Sequence, residues 1–248
     1  MPEPLEDFIL TTPAEIPYVI EAGILTEGGR LIIYGTRKNF KSQMGRHCLF
    51  CISLGLPFFG YRTVSKRILL IDLETPSRDE LQLLLSTYIT GHKITVPPQR
   101  FFIEHTFSVA LDTDHGLDWL IKRIKSCNPE VVAIDPLYKA LSQVGKLQIE
   151  RAMKNIDHIR QMFPRISFII FHHTRKERVD PAGNLIDGGL DELLDNALLS
   201  AWVDTAIRVR RTTEQGLGLS MAFTALRSAT RELPQMQLKF DPVTLGFS

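Results

Sequence analysis

The chain has 248 residues, of which 44% are hydrophobic and 23% charged, and a formal net charge of +1. That length and balance suit one large globular α/β domain with a sizeable core. A near-zero charge excludes a global polyanion-binding surface, so any nucleic-acid contact has to come from a local patch. No apolar run is long enough to span a bilayer. The start Met1-Pro2-Glu3-Pro4-Leu5-Glu6-Asp7 is acidic and lacks the basic region of a signal peptide. No membrane association is therefore expected, and the expected location is the cytoplasm.

Residues 1–12 read as an extended lead-in, and residues 13–23 as a short helix opened by Pro13. Leu31–Tyr34 is a short apolar strand, followed by a helix over 41–54 that Gly55-Leu56-Pro57 stops. Arg67–Leu73 and Val131–Asp135 have the continuous apolar cores of parallel strands buried on both faces. Phe101–Glu104 and Phe168–His173 complete that set. Helices are expected from Arg78 to Ile89, from Asp114 to Ser126 and from Ile149 to Met162. Strands alternating with helices predict right-handed β-α-β units and a mainly parallel sheet. After residue 204 the pattern changes to Thr205–Arg211, Ser220–Leu226 and Met236–Phe240, strands joined by turns that extend the sheet in antiparallel fashion. Pro181–Asp191 reads as a mobile loop and not a domain boundary.

Chemistry concentrates first in Gly35-Thr36-Arg37-Lys38-Asn39-Phe40-Lys41-Ser42. This run follows a strand and opens a helix, as a phosphate-binding loop does. Its backbone N–H groups and the helix N-terminus would cradle phosphate, Lys41 would reach the outer phosphates, and the Ser42 hydroxyl would hold Mg²⁺. Phe40 stands where a second glycine is expected, which is tolerable only with its side chain turned away from the phosphates. The plainer reading is a surface turn before an ordinary helix; the strand–loop–helix context favours the phosphate role.

Asp135 ends a buried strand, where open α/β sheets bind ligands. It either helps hold Mg²⁺ or caps the turn beside Pro136, and the loop upstream favours the metal role. Glu74 follows the strand Arg67–Leu73 as a general base for water, or as an acid favoured by the next helix dipole, with Thr75 or Ser77 capping that helix. His172 and His173 are a candidate γ-phosphate sensor or ordinary strand-end histidines; adjacent strand residues face opposite ways, which disfavours a zinc pair. Arg175, Lys176 and Arg178 form a basic cluster suited to a phosphate backbone or simply to solvent. Arg227 and Arg231 can serve a neighbouring subunit's γ-phosphate or surface salt bridges. Cys48 and Cys51 have C-x-x-C spacing without a second ligand pair, so buried core cysteines are expected. With Cys127 the count of three is odd, which argues against a disulfide framework.

In order and spacing, Gly35–Ser42, Leu69–Glu74, Val131–Asp135, His172–Lys176 and Ala225–Ala229 resemble the RecA-like ATPase superfamily, and within it the hexameric helicase ATPases of the plasmid RepA and DnaB type. The resemblance covers roughly residues 25–240. It implies a three-layer α/β/α core over residues 25–248, with 1–24 as an N-terminal extension, and ATP with Mg²⁺ as ligands. It places Gly35, Thr36, Arg37, Lys38, Asn39, Phe40, Lys41 and Ser42 on the nucleotide, Ser42 and Asp135 on the metal, and Glu74 as catalytic glutamate. His172 or His173 falls at the sensor position, and Arg231, with Arg227 sharing its role, near the trans-acting arginine. The family's companion lysine is Ala229 here. The segment Lys176–Leu194 would face single-stranded DNA. The implied assembly is a homo-oligomeric ring or filament, a hexamer by analogy, acting as a helicase or replication-associated motor. A regulatory ATPase without DNA stimulation and a non-catalytic nucleotide-binding module are the alternatives.

Overall fold

The computed structural model describes residues 4–10, 17–95, 99–174, 197–213, 216–229 and 231–248. The chain opens with helix α1 (Leu5–Leu10) and a hairpin of β1 (Tyr18–Ile20) and β2 (Leu25–Thr26). It continues through β3 (Arg30–Gly35), α2 (Lys41–Leu54), β4 (Ile68–Asp72), α3 (Arg78–Gly91), β5 (Phe101–His105) and α4 (Asp114–Cys127). Next come β6 (Val131–Asp135), a 3-10 turn (Leu137–Ala140), α5 (Lys146–Met162), β7 (Ser167–His173) and α6 (Ala197–Trp202). The last part is β8 (Thr205–Arg211), β9 (Gly218–Leu226), β10 (Met236–Asp241) and β11 (Gly246–Phe247).

Among the described residues, nine strands make one sheet in the order β11-β10-β9-β8-β3-β7-β6-β4-β5. The strands from β8 to β5 are parallel, and β9, β10 and β11 continue antiparallel. Every residue of β4 and β6 is buried, as parallel strands covered on both faces require. Alternation along β3 divides the core. Leu31 and Ile33 join the cluster that includes Met44, Leu49 and Ile52 of α2. Ile32 and Tyr34 join the cluster of α4, α5 and α6, with Leu120, Ile156 and Leu199. Helix α3 packs beside α2 through Phe50, Leu81, Leu85 and Tyr88. The result is the α/β/α sandwich with a mainly parallel sheet and antiparallel C-terminal strands.

Two early segments differ from expectation. Residues 5–10 are helical instead of extended, with Glu6 and Asp7 in the first turn, where the helix dipole favours acids. In place of a helix over 13–23, Tyr18–Ile20 is a strand; residues 13–16 lie outside the described residues. Ala22 and Gly23 take φ of 59° and 74°, which no right-handed helix accommodates. The turn buries Val19, Ile20 and Ile24 in the core.

Helix ends follow local chemistry. Ser77 accepts a hydrogen bond from the Glu80 amide at 3.1 Å, and Thr113 from that of Gly116 at 3.1 Å, the usual N-cap arrangement. Gly55 closes α2 at φ 69°. Gly45 lets α2 lie directly on β7, since a Cβ there would fall 1.6 Å from the Phe171 ring.

Cys48 and Cys51 are buried on α2, as expected for core cysteines, and burial raises both thiol pKa values, that of Cys51 to about 12. His47 on the same helix sits with Nδ1 2.8 Å from the Tyr88 hydroxyl and against the Phe59 ring at 5.0 Å. Burial, aided by His92, pushes the His47 pKa down to about 4. A histidine depressed on folding takes its proton more readily when unfolded. Its stability contribution is complete above about pH 6.5 and is lost as pH falls towards about 4. Between pH 7.5 and 4.5 this group should account for a loss of about 2–3 kcal/mol. Urea unfolding of wild type and His47→Gln at the two pH values checks this. Equal pH dependence in the two proteins would rule it out.

Candidate functional site

The parallel strands all present their C-terminal ends at one edge. Gly35 pairs with His173, and Asp72 with Asp135. The chain after β3 turns through residues 36–40 into α2 at this edge, so backbone topology alone gathers the loop, both aspartates and the histidine. An open cleft of about 270 Å³ lies here, with Lys41, Ser42, Glu74 and His173 on its walls.

The loop is held tightly. Gly35 has no room for a side chain: a Cβ would sit 2.2 Å from both the Asn39 amide nitrogen and the Val209 carbonyl oxygen. Asn39 is buried and donates through Nδ2 to that carbonyl, on β8. Phe40 is the N-cap of α2 with φ 61° and ψ 20°, the left-handed conformation that a glycine would adopt freely. Its ring stacks on Phe240 of β10 at 4.3 Å. The Phe40 side chain makes no capping hydrogen bond to α2.

Lys41 is buried, with Nζ 3.4 Å from His173 Nδ1. Burial lowers its pKa, and the Asp135 and Glu74 carboxylates oppose that shift. Ser42 donates its hydroxyl to Asp135 Oδ1 at 3.3 Å. Burial raises the Asp135 pKa to about 6, against the pull of Arg46 and Lys41. A hydroxyl beside a buried carboxylate is the hard-oxygen donor set that Mg²⁺ takes, and a cation there would offset the cost of burying the charge. Glu74 Oε1 lies 3.4 Å from His173 Nε2. Among the described residues, Glu74 Oε2 and His173 Nε2 are buried without a hydrogen-bond partner. The His173 ring lowers the Glu74 pKa most, against desolvation, with Lys41 and Lys139 assisting. Glu74 is thus a carboxylate at neutral pH with a spare oxygen. Tyr138, on the 3-10 turn after β6, braces the His173 ring edge-on at 5.3 Å.

A second polar network supports Glu74. Asp72, fully buried, accepts from the Thr75 amide and hydroxyl, each at 2.9 Å. Arg46 of α2 donates through one nitrogen to Asp72 Oδ2 and Thr75 Oγ1, both at 3.1 Å. His105 Nε2 lies 2.9 Å from the Thr75 carbonyl. The turn that carries Glu74 is therefore tied to α2 and β5. Thr75 serves this turn while Ser77 caps α3. The sequence offered one signal for the network, a charged residue closing an otherwise apolar strand.

Of the remaining sequence candidates, Lys38 also borders the cleft. Thr36, Arg37 and Lys38 form the outer part of the loop, Arg37 and Lys38 being exposed. His172 pairs with Tyr34, one step back along β7. Arg227 follows β9, whose Leu226 pairs with Thr205, at the sheet edge opposite the loop. It lies 3.8 Å from Asp204 and donates to the Ala201 carbonyl. Arg231 is exposed, and its charge acts on Glu21. Arg175, Lys176, Arg178 and the segments 181–191 and 176–194 lie outside the described residues. Among the described residues no cluster of three or more His, Cys, Asp or Glu could hold a metal by itself, and no helix is long and apolar enough to cross a membrane.

The AAA domain family matches residues 2–179. An ATPase domain of known structure superposes with a TM-score of 0.64 at 12% identity, covering 98% of this chain and 95% of that one. A KaiC-like protein from the hyperthermophilic archaeon Pyrococcus horikoshii superposes with a TM-score of 0.58 at 14% identity, covering 92% of each chain. No curated protein sequence matches the chain. With its phosphate-binding loop at the C-terminal edge of a mainly parallel sheet, the chain belongs to the AAA domain family and has the RecA-like fold of P-loop ATPases.

Proposed function

We propose that this protein binds ATP with Mg²⁺ and hydrolyses it as a motor on single-stranded nucleic acid. The observation that supports this most is the meeting of Lys41, the Ser42–Asp135 pair and the Glu74–His173 pair at one sheet edge. Lys41 and the loop amides would bind the phosphates, and Ser42 and Asp135 would hold Mg²⁺. The metal, when bound, supplies positive charge that neutralises the phosphate oxygens.

Glu74 would orient a water through its free carboxylate oxygen, in line with the bond to be broken. The water oxygen bonds to the γ-phosphorus as the bridging bond to the β-phosphate breaks. A loose transition state of this kind needs position and charge more than a strong base, and a carboxylate with a lowered pKa can satisfy that need. His173, touching both Lys41 and Glu74, is suited to register whether the γ-phosphate is present.

Arg227 and Arg231, distant from their own subunit's cleft, suit a role in trans, and that role needs a ring or filament of identical subunits. A hexamer, contact of the 176–194 segment with single-stranded DNA, a role in replication and a cytoplasmic location complete the reading. Residues 25–248 would be the motor domain and 1–24 an extension anchored through Val19 and Ile20.

Steady-state ATP hydrolysis with Mg²⁺, with and without single-stranded DNA, tests this for wild type and Lys41→Ala. Turnover that rises with DNA and disappears in the variant is the expected result. Turnover indifferent to DNA would favour a regulatory ATPase, a reading to which the near-neutral net charge lends support. No turnover in the wild type would overturn the enzymatic reading.

A further inference from the structure

Two non-glycine residues in the loop hold left-handed backbone, Lys38 at φ 62° and Phe40 at φ 61°. Such conformations cost energy and persist only where the surroundings enforce them. The enforcing contacts come from the end of the chain. Phe240, 4% exposed, lies under the Phe40 ring with an interplanar angle of 24°. The Arg211 guanidinium sits 4.8 Å from the centroid of the same ring. Its Nη1 also donates to the Lys38 carbonyl at 3.2 Å. Arg211 is itself anchored, with Nε and Nη2 donating to the Gly216 carbonyl at 3.2 and 2.6 Å. One side chain thus touches both strained residues. Arg211 and Phe240 belong to β8 and β10, beyond residue 179 where the family match ends.

We propose that Arg211 and Phe240 are positioning residues for the nucleotide, a clamp that gives the phosphate-binding loop its shape where a second glycine would otherwise do so. The proposal rests on the ATP-binding reading of the loop. Without the clamp, Phe40 relaxes towards negative φ. The amides around Lys41 then turn from the direction in which α2 presents them to phosphate. The loss falls on binding, because Glu74, Asp135 and His173 are carried by other strands.

The test is the dissociation constant of a fluorescent ATP analogue with Mg²⁺, together with kcat and KM for ATP. Phe240→Ala and Arg211→Gln should each weaken binding and raise KM about tenfold, as loss of a stacked or ring–cation contact allows. Changes in kcat should stay within about threefold, since the groups that stabilise the transition state remain in place. Phe240→Tyr should restore binding. In a Phe40→Gly background, Phe240→Ala should cost less than about twofold, because glycine needs no clamp. Arg211 is half-buried, so Arg211→Gln carries the test if Phe240→Ala does not fold. Wild-type affinity in both variants would overturn the clamp. So would an equal loss from Phe240→Ala in the Phe40 and Phe40→Gly backgrounds, which is the mark of general damage to the fold. A wild type that binds no nucleotide would instead overturn the ATP-binding reading, and the clamp with it.

Discussion

Glu74→Gln should lower kcat for ATP hydrolysis by about 10²- to 10⁴-fold, the range for removal of a positioned proton acceptor, while ATP still binds. The substitution keeps the shape of the side chain and its contact with the cleft wall. It removes the negative charge that His173 and Lys41 stabilise and the oxygen available to a water. Lys41, Ser42 and Asp135 are untouched, so the dissociation constant for ATP should stay within about threefold, as for an interaction made mainly in the transition state. Single-turnover hydrolysis with a parallel binding titration separates the two effects. Retention of more than a third of wild-type kcat would remove Glu74 from the chemistry.

Asp72→Ala should destabilise the fold by about 3–5 kcal/mol, because it leaves the buried Arg46 charge without its hydrogen-bonded carboxylate, with only the charge of Asp135 to oppose it. The Arg46 side chain is 10% exposed and Asp72 has no exposure at all, so water cannot replace the lost carboxylate. The Thr75 amide and hydroxyl lose their acceptor in the same step. The double variant Asp72→Leu with Arg46→Met should recover most of this stability, since a buried ion pair contributes little beyond an apolar pair of similar volume. It should not recover hydrolysis, because the turn that carries Glu74 would have lost its tether. Urea denaturation of the single and double variants gives the energies. A double variant as unstable as Asp72→Ala would show that packing, and not charge burial, governs the site.

Apart from α6 and β11, which the sequence reading did not include, the strands and helices of the sandwich were readable because each has one dominant cause. Leu69–Ile71 and Val132–Ile134 are apolar without alternation, which only a strand covered on both faces explains. Ser77 and Thr113 mark the starts of α3 and α4 by their capping chemistry. The phosphate loop was readable from spacing, and Asp135 from its place at the end of an apolar strand. The early hairpin was not, because its cause is a left-handed Ala22, and alanine gives no sign of positive φ. Asp72 passed as part of a strand because its partner Arg46 lies on a helix whose apolar positions dominate the pattern. The contacts that hold Phe40 were invisible for a different reason. Phe240 and Arg211 are distant in sequence, and only the order of strands in the sheet brings them to the loop.

The position of β3 has a consequence for how the molecule comes to be made. It ends at Gly35, yet both of its neighbours, β7 and β8, begin only at Ser167 and Thr205. Until those segments leave the ribosome, the run Leu31–Tyr34 has no partner, and an unpaired apolar strand invites association with other chains. Pairings this distant close slowly. Folding of the sheet around β3 therefore waits on segments more than 130 residues further along the chain.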